Sequence, residues 1–177
     1  MSIEFTDNNE EKIRMPSYIT ESIEAFGEDV STPVTTASAS HLYKVNPNDI
    51  RLPGKKRQLF HSIAAKLLFL SKRGRPDMQP TVAFLTTRAT KAYEDDEEDW
   101  KKMGRLLQYL NATIDLSLTI SADSMTVLKT WVDSAYAVHP DMKSQTGGTI
   151  MMGKGVTVRK IIQTEIEHKS STEAERR

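Results

Sequence analysis

Apolar and polar residues alternate along the chain with a period that changes from one segment to the next. Residues 3–15 contain two short runs with a period of two around the polar turn TDNNEE, which predicts a β-hairpin. Residues 16–26 carry apolar side chains at helical spacing, and Gly27 follows them as a stop signal. Residues 28–54 show no sustained period and many turn-forming residues, so we expect a connector laid over the surface.

The middle of the chain predicts three helices packed together. The strongest pattern is QLFHSIAAKLLFLSKR, residues 58–73, which has a wide apolar stripe and a basic last turn. Asp77 is well placed to cap the next helical segment. A run of acids, residues 94–99, precedes WKKMGRLLQYL, whose large apolar side chains share one face. We interpret these acids as helix N-terminal residues on a solvated face rather than as a metal site, because no second carboxylate cluster is spaced against them.

The apolar pattern returns to a period of two after Thr113. DLSLTI and TVLKTWV predict strands, and GGTIMMG and GVTVRKII predict two more around Gly153-Lys154-Gly155. The predicted fold class is therefore α+β, with an N-terminal hairpin and helices followed by an antiparallel sheet.

Composition limits the partners, the chemistry and the location that we expect for the protein. Lys and Arg together number 24, as do Asp and Glu, so no net charge draws the chain to nucleic acid or to an anionic membrane. The absence of cysteine excludes disulfides, thiolate zinc sites and cysteine nucleophiles. The N-terminal segment is too acidic for a signal peptide, and no apolar run approaches the roughly 20 residues of a membrane helix. We expect a soluble, intracellular protein, cytoplasmic or nuclear, with no membrane contact.

Asp133 is the most informative single residue, because it directly follows the apolar strand that ends at Val132. A carboxylate in such a strand is costly to bury without a partner. A magnesium site would explain it, since hard cations prefer oxygen ligands, but such a site needs a second acid nearby in space. The downstream acids are Glu173 and Glu175. The alternative is that Asp133 ends the strand and hydrogen-bonds its own turn.

Several motifs resemble the reverse transcriptase and ribonuclease H region of copia-type LTR retrotransposon Pol polyproteins. WVDSAYAVHPDMKSQTGG followed by KSSTEAE is similar to that family's strand-borne Asp, its Ser/Thr-Gly strand and the SSTEAE start of its next helix. FHSIAAKLLFLSKRGRPD, WKKMGRLLQYLNAT, the opening hairpin and SYITESIEAFG fit the segments upstream. The resemblance covers nearly the whole chain, with little in residues 37–54. It implies a reverse transcriptase C-terminal, thumb/connection-like region over residues 1–123 and a truncated ribonuclease H-like domain over residues 124–177.

The resemblance also implies a chemistry. In the family, four carboxylates hold two Mg²⁺ ions, which activate water and stabilise the leaving oxygen on an RNA strand paired to DNA. Asp133 and Glu175 match two of the four, and the others would lie beyond Arg177. The polymerase YxDD strand pair would precede Met1. The expectation is a Mg²⁺ site only if the ribonuclease H set is completed, and a chain that is not active by itself. VRKIIQTEIEHK and the final two arginines depart from the family pattern.

A basic, thumb-like surface that follows the phosphates of an RNA/DNA hybrid or duplex is implied as well. The candidate nucleic-acid-binding residues are Lys55, Lys56, Arg57, Lys66, Lys72, Arg73 and Arg75. For any one of them, an ordinary solvated surface position is an equally good interpretation.

The ribonuclease H fold places the strand with the first Asp at the centre of its sheet, between the next strand and a strand that comes after the SSTEAE helix. Where that last strand is missing, TVLKTWV has an open edge, which invites pairing with another chain. We therefore expect residues 124–177 to be poorly stable alone or to self-associate.

Three functions remain open at this point. The first is a retrotransposon polyprotein fragment without catalysis of its own. The second is a non-catalytic module that binds hybrid or duplex nucleic acid. The third is a residual enzyme that completes its site by pairing with another chain.

Overall fold

The computed structural model describes residues 1–90, 96–124, 126–139 and 142–164 of the chain. It is a mixed α+β structure, as the sequence predicts. The chain forms two compact units: unit 1 comprises Met1–Ser2 and Ile13–Ser117, and unit 2 comprises Ile3–Lys12 and Leu118–Arg177. The border between residues 123 and 124 that the resemblance implies falls inside unit 2, and as a division into domains it stays a prediction.

The elements follow the predicted order. They are β1 (Ser2–Phe5), β2 (Glu11–Arg14), α1 (Pro16–Phe26), α2 (Gly54–Arg73), the 3-10 helix Pro76–Met78, α3 (Gln79–Thr90), α4 (Glu97–Ala112), β3 (Leu118–Ala122), β4 (Lys129–Ala135), β5 (Ser144–Met151), β6 (Gly153–Lys154) and β7 (Val158–Thr164).

The ends of α1 are set by its sequence. Pro16 occupies the first turn, where its missing N–H is not needed. Gly27 has a φ of 73°, a left-handed conformation that glycine adopts without steric cost, and its N–H donates to the Ile23 carbonyl at 3.2 Å. The predicted bounds of this helix are therefore confirmed.

The core of unit 1 is built from the apolar faces of its helices, as the helical spacing predicts. Its largest fully buried side chains are Ile19, Phe60, Ile63, Leu67, Leu70, Met78, Phe84, Leu85, Met103, Leu106, Leu107 and Leu110. The predicted connector, residues 28–54, contains no named strand and no helix before α2 begins at Gly54, but it contributes Val30, Leu42 and Leu52 to this core. It is therefore a packed part of unit 1 and not only a surface covering.

The acidic run before α4 corrects one prediction. Asp96 caps the helix by accepting a hydrogen bond from the Asp99 N–H at 3.0 Å, as expected of an acid at a helix start. Both carboxylates are buried, however, with Asp96 3.3 Å and Asp99 2.7 Å from the Arg88 guanidinium. The prediction of a solvated face is wrong for these two residues, because Arg88 of α3 supplies a buried partner that local sequence does not show.

Unit 2 is dominated by two antiparallel arrangements of strands. One sheet has the order β1-β2-β3-β6, and the other has the order β4-β5-β7. Gly155 has a φ of 79°, and a Cβ there would lie 2.0 Å from the Thr119 carbonyl oxygen, so only glycine lets the chain pass β3 this closely. The predicted glycine pair therefore marks the break between β5 and β7.

Candidate functional site

Asp133 lies in the interior of β4, directly opposite Gly147 of β5. Residues opposite each other in an antiparallel pair point to the same face, so a side chain at position 147 would stand beside the carboxylate. Glycine places no side chain at that position, and Asp133 is exposed. In the part of the chain that the structure describes, no hydrogen bond or ion pair engages this carboxylate. The alternative in which Asp133 ends the strand and bonds its own turn is therefore wrong.

The surroundings of Asp133 provide no nearby cation on its own strand. Lys129 lies on the same face of β4, four residues away, but its ammonium group pairs with Asp123. Trp131, between them on that face, is 51% exposed. The carboxylate of Asp133 is thus accessible and has no cationic partner on β4.

Glu175, the second predicted acid, lies outside the described residues, so its distance from Asp133 stays untested. Within residues 1–90, 96–124, 126–139 and 142–164, no group of three or more His, Asp or Glu side chains is arranged to hold a metal ion. Asp133 fits one oxygen-ligand position, since an exposed carboxylate opposite a glycine has room for a hydrated cation. One carboxylate is not a complete site.

The seven predicted basic residues do not form one cluster. Six of them lie on α2, which is about 30 Å long at 1.5 Å per residue. Lys55, Lys66 and Arg73 are spaced by about three and two full turns, so they share one stripe of this helix. Lys55 and Arg73 are exposed, and Lys66 is half-buried with its ammonium group 4.0 Å from Glu21. Lys72 is exposed about a quarter-turn away from the stripe.

Two of the predicted basic residues are engaged inside unit 1. The Lys56 ammonium lies 2.9 Å from the Glu97 carboxylate and 4.6 Å from the centre of the Trp100 ring. Arg75 is only 2% exposed, and its guanidinium donates to Asp77 and to the Thr113 carbonyl. The position of Arg75 argues against a contact with a phosphate. Arg57 is half-buried and makes an interaction of its own within the structure.

The Arg75 cluster is a feature that sequence reasoning missed. The Arg75 Nη2 atom lies 2.8 Å from Asp77 Oδ2 and 2.7 Å from Thr113 Oγ1, and the Tyr109 hydroxyl donates to Asp77 at 2.7 Å. The cluster ties the 3-10 helix to the last turn of α4 and satisfies the Thr113 carbonyl there. Asp77 therefore serves as an ion-pair partner and not mainly as the predicted cap.

The electrostatics of this cluster follow from its contacts. Burial alone would raise the pKa of Asp77, but hydrogen bonds from Arg75 and Tyr109 and the charge of Arg75 outweigh burial and hold that pKa below its ordinary value. Burial and the adjacent carboxylate raise the pKa of Tyr109. At Asp99, by contrast, burial prevails over the nearby Arg88 and raises the pKa.

Comparisons with known proteins give no assignment for this geometry. No family model, curated protein or solved structure matches the chain. Among the described residues, no helix has the length and apolar character needed to span a membrane.

Proposed function

We propose that the chain is part of a copia-type retrotransposon polyprotein, with the C-terminal region of the reverse transcriptase followed by the start of the ribonuclease H domain. The observation that carries this proposal is an exposed Asp133 inside the first strand of an antiparallel β4-β5-β7 meander. The family motif predicts this arrangement, in which an Asp on one strand is followed by a Ser/Thr-Gly strand. Here that second strand is Ser144–Met151. The motifs themselves remain the reason for naming the family.

In this proposal, Asp133 and Glu175 would hold Mg²⁺ once the carboxylate set is complete. The metal would supply an activated water and charge stabilisation at the RNA phosphate. The part played by this chain is to present the Asp133 carboxylate on a strand, opposite Gly147, which has no side chain. Because two matched acids are half of the set that the resemblance implies, we expect no cleavage by the chain alone.

The DNA on both sides of the coding sequence tests this proposal. We expect an upstream reading frame that encodes a YxDD-type strand pair, or a downstream frame that continues the SSTEAE helix and supplies further acids, even if stop codons interrupt either one. Unrelated, intact coding sequence on both sides would contradict the proposal.

A second candidate is a non-catalytic module that binds an RNA/DNA hybrid or duplex. The stripe of Lys55, Lys66 and Arg73 on α2 favours it, because three cations on one helix face can contact several phosphates of one duplex. Because the chain has no net charge, its electrostatic attraction to nucleic acid must come from such local groups.

Titration of a labelled hybrid at two salt concentrations separates the two candidates. A binding module predicts saturable binding that weakens with salt, with a slope that falls by about 0.9 for each phosphate contact removed. Joint replacement of Lys55, Lys66 and Arg73 by Gln should then remove most of the slope, whereas joint replacement of Lys12, Arg14 and Lys44 should not. A polyprotein remnant without function predicts no saturable binding.

The third candidate, a residual enzyme completed by a second chain, would reveal itself in the same samples. It requires Mg²⁺-dependent cleavage of the RNA strand that Asp133→Asn abolishes and Asp115→Asn leaves intact. Asp115 is an exposed carboxylate of unit 1 and is therefore a matched control.

We also propose that the open edge of β4 mediates self-association. In the described sheet, β4 pairs with β5 on one side only, and edge strands with free backbone groups are templates for pairing with another chain.

A further inference from the structure

A cavity of about 200 Å³ lies in unit 1, between the connector near His41, Thr81 of α3 and the first three turns of α4. Three cationic side chains of α4 line it: Lys101, Lys102 and Arg105. Lys101 and Arg105 are four residues apart and therefore project from the same side of the helix. Glu98 is the one acidic side chain among the residues that line this cavity.

The acids in this region are already engaged. The Lys102 ammonium is buried, 3.6 Å from Glu98 and 3.7 Å from Asp99, and it donates to the Lys44 carbonyl. Asp99 also pairs with Arg88, as described above. Among the described residues, no ion pair engages Lys101 or Arg105. These two side chains therefore give the cavity wall an excess of positive charge.

Arg105 supplies the second observation. Its Nη2 atom donates to the Thr36 hydroxyl at 3.0 Å, but its Nε–H is buried and has no acceptor among the described residues. A buried charged donor without an acceptor is costly. An anion in the cavity that Arg105 lines would remove that cost if the side chain turned its Nε–H toward the anion. The guanidinium fork suits the oxygens of a phosphoryl group, to which it can donate two parallel hydrogen bonds.

The size of the cavity limits the ligand. Pockets for drug-sized molecules are roughly 300–1,000 Å³, so a cavity of about 200 Å³ suits a small anionic group. We propose that Lys101 and Arg105 form a binding site for a phosphoryl group. Its source is either a free phosphate or a phosphate of a nucleic-acid chain. This site is independent of Asp133 and of the basic stripe on α2, and it does not require the proposed function.

The test uses the full chain and two probes at constant ionic strength, namely inorganic phosphate and a short single-stranded oligonucleotide. We expect saturable binding of at least one probe by calorimetry, together with a rise in melting temperature that grows with its concentration. Arg105→Gln and Lys101→Gln should each weaken binding by about tenfold or more. Arg14→Gln removes the same charge from an exposed position on β2 and should change the affinity by less than about twofold.

Each outcome decides between the alternatives. Binding of phosphate alone, lost in both cavity variants, supports a free-phosphate site. Binding of the oligonucleotide alone, lost in both variants, supports a site for a chain phosphate. If Arg105→Gln fails to fold by circular dichroism, Lys101→Gln provides the same test. Equal affinities in the cavity variants and in Arg14→Gln, or no saturable binding of either probe, would overturn the proposal.

Discussion

Among single residues, Arg75 shows that tertiary surroundings decide whether a basic side chain is exposed or buried. The sequence places it in a basic series with Lys72 and Arg73, but its side chain turns into unit 1 and pairs with Asp77. Removal of the Asp77 charge would leave a buried guanidinium without its counter-ion, which is a larger loss than the net worth of the pair.

We predict that Asp77→Asn lowers the free energy of unfolding at pH 7 by about 1–3 kcal/mol. Because the pKa of Asp77 is lower in the folded than in the unfolded state, its stabilisation is present above the ordinary Asp pKa of about 3.9. It is lost as the pH falls through the lowered folded-state pKa. The difference between wild type and variant should therefore be largest at pH 7 and shrink below about pH 4.

Urea unfolding followed by circular dichroism at pH 7 and pH 3 measures this difference, with Asp115→Asn as the control. Asp99 acts in the opposite direction, because its raised pKa makes the charged form costly in the folded state. The comparison of variant with wild type cancels that contribution. A loss of stability that is the same at both pH values would show that the Asp77 charge is not involved.

Among the elements, the β4-β5-β7 sheet differs most from the helices. Apolar side chains on the face opposite Asp133 remain 36–54% exposed. They are Val132, Ile150, Val158 and Ile162. Together with the free edge of β4, this face gives unit 2 two surfaces that association could cover.

We predict concentration-dependent association of the full chain, measured by sedimentation velocity at two protein concentrations. Val132→Lys should reduce it by placing a charge on the edge strand, whereas Val127→Lys, just before the strand, should have a smaller effect. A monomer at both concentrations with slow amide exchange throughout residues 127–132 would contradict the prediction.

In the whole molecule, the two units differ in how many apolar side chains they bury. Every described apolar side chain that is buried lies between Met15 and Leu110, within unit 1. The buried residues described in unit 2 are polar: Ser134, His139 and Ser144. Because apolar burial is the main stabilising contribution to folding, unit 1 has its own core, and unit 2 depends on strand pairing and turns such as the one at Gly155.

The sequence by itself determined most of the elements, the fold class and the helical part of the core of unit 1. Periodicity of apolar residues, Gly27 as a helix stop and the glycines at 153 and 155 are local signals, and local backbone preferences are enough to read them. Tertiary structure alone decided that Arg75 and Asp96 are buried, that Lys101 and Arg105 line a cavity, and that Asp133 faces a glycine. Such relations join residues far apart in the chain, so they depend on packing that no local pattern encodes.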